Sequence, residues 1–148
     1  MPIIEWKEDY LVGVQQIDLH HQHLFALLNA TYDAFVNKDP AERLNSLFDE
    51  LIDYATYHFF TEEELMRKIR YPELEKQRKE HGVFSEKVVG IQKDYQAGRK
   101  GISLEILSFL QEWLTVHILQ ADREIGRFLV SSNGRQTPGL LKDTKHVE

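Results

Sequence analysis

The sequence predicts an all-α protein, an up-down-up-down four-helix bundle with an extended N-terminal arm and a polar C-terminal tail. Three observations predict it. Apolar residues recur at spacings of three and four through most of the chain, with little strand-like alternation. Clear breaks fall only at NKDP (37–40), RYPE (70–73), AGRKG (97–101) and SSNGRQTPG (131–139). The first three are short, and short connections make consecutive helices antiparallel neighbours.

The elements follow in order. An arm, residues 1–17, precedes a first helix at 18–37 whose stripe is His21, Phe25, Leu28, Tyr32 and Phe35. A second helix is expected at 40–70, with Asp39 as N-cap, Pro40 in the first turn and Glu42 reaching back to complete a capping box. Its stripe is Leu44, Leu47, Leu51 and Tyr54, then His58 and Glu62, then Leu65 and Ile69. Pro72 disfavours a helical Tyr71 and so opens a third helix at 73–97. Leu74, Gln77, His81, Phe84, Val88, Ile91 and Tyr95 form its face. Ser103 caps a fourth helix at 103–130, striped by Leu107, Leu110, Leu114, His117, Ala121 and Phe128. One bundle domain, 1–130, and a loosely ordered tail, 131–148, are expected.

Composition bounds the function. At 148 residues and 42% hydrophobic, the chain suffices for one core. Net charge is −6 and the basic residues are scattered, which argues against nucleic acid or an anionic membrane as partner. No apolar run nears the roughly 18 residues of a membrane span. The opening MPIIEWKEDY lacks a basic-then-apolar leader, so the cytoplasm is the expected location. Cysteine is absent, which removes disulfides and every thiolate metal site. Any metal must be held by imidazole and carboxylate.

The histidines supply the functional signal. His21, His58, His81 and His117 each fall on the apolar face of a different helix, and Glu62 follows His58 by four residues. One such histidine is usually satisfied by a carbonyl or carboxylate. Four together with a carboxylate would leave a costly polar cluster in an apolar core, and a cation reverses that balance. Imidazole with carboxylate suits iron, manganese or zinc, and several of each inside a bundle favour two metals over one.

At this point four segments become recognisable. VGVQQIDLHHQHLF, HFFTEEELM, EHGVF and WLTVHILQAD resemble, in order and spacing, the signature segments of the hemerythrin family, with single-domain bacteriohemerythrins the nearest pattern. The resemblance covers residues 6 to about 130. It implies two iron ions, oxo- or hydroxo-bridged, that bind dioxygen reversibly for carriage, storage or sensing. It implies ligation of one iron by His21 and His58 and of the other by His81 and His117, with Glu62 and Asp122 bridging. The His-x-x-Leu-Phe spacing selects His21 and leaves His20 and His23 on the surface or behind the ligands. Phe25, Phe59, Trp113, Leu114 and Ile118 are the implied lining of a dry ligand pocket; Phe59, Leu114 and Ile118 are the ones assigned to it here. Asp122 rests on the resemblance alone. Five residues after His117 it lies about 140° round an ideal helix, so it serves the cluster only over the edge of that face or through a local bulge.

One position departs from the family pattern. Gln77 stands where a further histidine is expected. It would coordinate through its carbonyl oxygen, hold a water in the open position, or lower metal affinity. Glu73, Glu75 and Glu80 look like solvated charges beside it. Three readings follow: a dioxygen-binding module that is not an enzyme, a scavenging or peroxidase-like enzyme using the position Gln77 opens, and a bundle with a degenerate site. A sensing role would need a separate protein partner.

Overall fold

The computed structural model describes residues 3–99 and 101–132. Four long helical stretches make the bundle, and no strand occurs among the described residues. They are α1 (Gln15–Val36), α2 (Ala41–Lys68), α3 (Leu74–Gln96) and α4 (Leu104–Val116). From α4 the helical backbone continues without interruption through a π-helical segment, His117–Asp122, into α5 (Arg123–Ser132). The α1 helix packs on α2 and α4, and α2 packs on α3. The final helix runs two residues past the expected domain boundary at 130, and the rest of the expected tail, 133–148, lies outside the described residues.

Helix ends differ from expectation for identifiable reasons. Helix α1 starts three residues before position 18. The Val14 carbonyl already accepts the Asp18 N–H at 2.9 Å. The Asp18 carboxylate turns back instead to take the N–H groups of Val12 at 2.8 Å and Gly13 at 3.3 Å, clamping the arm to the helix. Asp39 is not the cap of α2. Its own N–H donates to the Ala34 carbonyl at 2.9 Å, closing the end of α1, so Pro40 becomes the N-cap with no side-chain bond. Tyr71 plays the corresponding part after α2, where its N–H reaches the Met66 carbonyl at 2.9 Å. Ser103 does cap α4, its hydroxyl accepting the Ile106 N–H at 3.3 Å.

The arm is not a loose extension. It contains a short 3-10 turn, Glu8–Tyr10, and its Trp6 and Tyr10 rings meet Phe25 of α1 with centroids 5.3 and 5.2 Å away. Ile4 exchanges two backbone bonds with the Asn29 side chain. The core built on this frame, with Phe48, Leu51, Phe84, Leu107 and Leu110 fully buried, is interrupted by one polar layer midway along the helices.

Candidate metal centre

That layer contains His21, His58, Glu62, Gln77, His81, His117 and Asp122, all buried. Helical periodicity carries His58 and Glu62 inward on α2, and Gln77 and His81 inward on α3. Asp122 arrives by another route. In the π-helical segment each turn holds about one extra residue, so residues five apart take the relation that residues four apart have in an α-helix. The Asp122 carboxylate therefore lies over the His117 ring, Oδ1 to Nε2 at 2.9 Å. Of the two routes open from the sequence, the bulge is the one present.

The two carboxylates divide their oxygens. Glu62 Oε2 faces His58 Nε2 at 3.3 Å and His21 Nε2 at 3.6 Å. Its other oxygen, Oε1, faces His81 Nε2 at 3.3 Å and His117 Nε2 at 3.7 Å. Asp122 repeats the pattern, Oδ2 toward His21 at 2.9 Å and Oδ1 toward His117. The result is two overlapping sets, His21–His58–Glu62–Asp122 and Glu62–His81–His117–Asp122. In each set the donor atoms lie within 4.8 Å of one another.

Most of these atoms are unsatisfied by the protein itself, and His81 Nε2 and His117 Nε2 meet each other at 3.2 Å. His21 Nε2, His58 Nε2 and all four carboxylate oxygens are buried without a hydrogen-bond partner. His21 and Asp122 approach to 2.9 Å yet lack the alignment of a hydrogen bond, as groups aimed at a shared point would. Orphaned buried acceptors in this number cost several kcal/mol unless a cation satisfies them. Two metal ions fit this donor set, all nitrogen and oxygen.

Electrostatics agree. Burial pushes the Glu62 carboxyl up, but the surrounding imidazoles, His58 foremost, outweigh it and hold the group well below the usual carboxylate range. Burial likewise pushes His21 down, and contacts with Asp122 and Glu62 reverse this, raising it to about 9. His117 is held well above its ordinary value by Asp122 and Glu62 against the same burial penalty. His58 alone among the four is lowered, by burial. Without metal, the carboxylates gather protons onto the neighbouring rings.

A surrounding layer orients the rings. The outward Nδ1 of His81 meets Glu63 Oε2 at 2.8 Å, that of His117 meets Glu80 Oε1 at 3.2 Å, and that of His58 meets His20 Nδ1 at 3.0 Å. Such partners fix ring orientation and tautomer. Phe59 stacks flat on His81 at 4.0 Å and Trp113 on His117 at 4.5 Å. Phe59 thus walls the centre itself, while Leu114 and Ile118 are buried beside His117. Glu80 was expected to be a solvated charge; it is half-buried and bonded to His117, reaching across from α3. Its position next to His81 was the available signal, since a neighbour of an inward residue lies at the helix–helix seam. Glu63, adjacent to Glu62, could have been found in the same way. His20 is buried behind His58, and His23 is exposed against Tyr54.

Comparison with known proteins agrees with this geometry. Residues 12–129 match the family described as Hemerythrin HHE cation binding domain. A bacteriohemerythrin of Clostridium acetobutylicum is 32% identical over 123 residues, covering 80% of this chain and 95% of that protein. One of Stenotrophomonas maltophilia is also 32% identical, covering 83% and 79%. A crystal structure of wild-type hemerythrin superposes with a TM-score of 0.81 at 26% identity, covering 86% of this chain and 98% of the other.

Proposed function

The chain belongs to the hemerythrin family, and from that premise we propose that it binds dioxygen reversibly at a di-iron centre, for carriage, storage or sensing. The observation that carries this reading is the division of Glu62 and Asp122 between two imidazole pairs. A carboxylate whose oxygens face different pairs is placed to join two metals rather than to chelate one. On this reading His21 and His58 would hold one iron and His81 and His117 the other, with Glu62 and Asp122 shared between the two.

A pair of irons, when bound, supplies one electron from each metal to the incoming dioxygen. The chain's own residues do the rest. Leu114, Ile118 and Phe59 are buried apolar groups that keep bulk water from the centre. Glu63, Glu80 and His20 hold the outer ring nitrogens of His81, His117 and His58, so that their inner nitrogens are turned toward the centre. No helix among the described residues is long and apolar enough to cross a membrane.

Elemental analysis and absorbance test the proposal. We expect two irons per chain and oxo-bridge bands that appear under air and revert when oxygen is removed. One tightly bound zinc, or iron bands indifferent to oxygen, would end it.

A further inference from the structure

The two halves of the centre are matched in protein donors. Each has two imidazole nitrogens and one oxygen from each carboxylate, four in all. For six-coordinate metals sharing one solvent bridge, that leaves one position in each half. What lies beside the His81/His117 half is a cavity of about 360 Å3 between α3 and the π-helical segment.

Beside the buried Tyr71 its wall includes Gln77, one turn before His81 on the same face and 2% exposed. Both atoms of the Gln77 carboxamide are without a hydrogen-bond partner. Leaving a buried amide so costs about 1–3 kcal/mol, a cost that a resident hydrogen-bonding molecule removes. A second wall residue, Glu80, is the partner of the His117 ring. The cavity therefore reaches the His117 ring through Glu80, while Gln77 stands one helical turn from His81. Glu73, Glu80 and Glu124 against the single cation Lys76 make its lining negative.

We propose that this cavity is a second ligand port. A small uncharged molecule, water at rest, enters between α3 and the π-helical segment and occupies the open position on the His81/His117 half. The Gln77 carboxamide holds it there, and the carboxylates of the lining turn anions away. This rests on the di-iron reading above and adds a second ligand position to it.

Anaerobic titration of the reduced di-iron protein with nitric oxide, followed by electron paramagnetic resonance and absorbance, counts the positions. Wild type should take two nitric oxide molecules per iron pair, and Gln77→His, which supplies a nitrogen donor at that place, should take one. Gln77→Leu keeps the space and loses the hydrogen bond, so the second molecule should still bind but leave about tenfold faster. Val116 is an exposed wall residue, and Val116→Trp should slow the second binding phase at least several-fold while the first is unchanged. One nitric oxide per pair in wild type overturns the port. So do two in Gln77→His, or phases untouched by Val116→Trp. Iron content and the dioxygen bands are read on the same samples. Their loss strikes the di-iron reading, whereas their retention with a missing second nitric oxide strikes the port alone.

Discussion

Glu62 is fully buried and accompanied by four imidazoles, so the ionisation of this cluster governs both folding and metal uptake. For the metal-free protein, the sign follows from His21. Its folded value, about 9, exceeds the unfolded 6.5, so its charged contacts stabilise fully below 6.5 and are lost as pH rises through 9. Melting of the metal-free form should therefore fall between pH 6.5 and 9, and the metal-loaded form, whose imidazoles are bare, should not show this decline. Parallel thermal melts of both forms check it; a flat metal-free profile contradicts the assignment. Loading should also release protons below pH 9, which calorimetry in buffers of different ionisation enthalpy reads directly. His20 acts in the opposite sense. Burial, reinforced by His58 and His21, lowers it to about 4, so it stays neutral, its Nδ1 paired with that of His58. His20→Leu should weaken metal binding about 10- to 100-fold with the ligand set intact, measured by competition with a chelator.

At the scale of elements, the informative departures are at helix ends and in the last helix. Lys38 and Arg70 close α1 and α2 with φ of 58° and 56°, a left-handed conformation that costs a side-chain-bearing residue about 1–2 kcal/mol. Glycine is the favoured residue there. Lys38→Gly and Arg70→Gly should each raise stability by about 0.5–1 kcal/mol in denaturant unfolding, net of the added freedom of the unfolded chain. Unchanged or lower midpoints would show that the lysine and arginine make compensating contacts. The π-helical segment is the other departure. Its extra residue per turn brings Asp122 over His117, and pattern reading left it as one of two routes because His117, Ala121 and Phe128 also fit an ordinary stripe. Of the signals in the chain, only the mismatch between a five-residue spacing and a shared site pointed to it.

For the molecule as a whole, the arm fastens the first and last helices together. Gly126 lies in α5 where a Cβ would meet the Val12 carbonyl oxygen at 1.8 Å, so only hydrogen fits between the arm and that helix. Gly126→Ala should displace the arm and cost about 1–3 kcal/mol, with faster proteolysis near residue 12. Wild-type stability in that variant would mean that the arm shifts without loss. The sequence by itself determined the four stripes, the inward histidines, the acid beside His58 and the resemblance that implied a ligand set, because periodicity and spacing belong to a single segment. Tertiary structure alone decided which oxygen faces which ring, that Glu80 and His20 stand behind His117 and His58, and that a cavity opens on Gln77. Those relations join different helices, and they depend on how each helix is rotated against its neighbours, which no local pattern encodes.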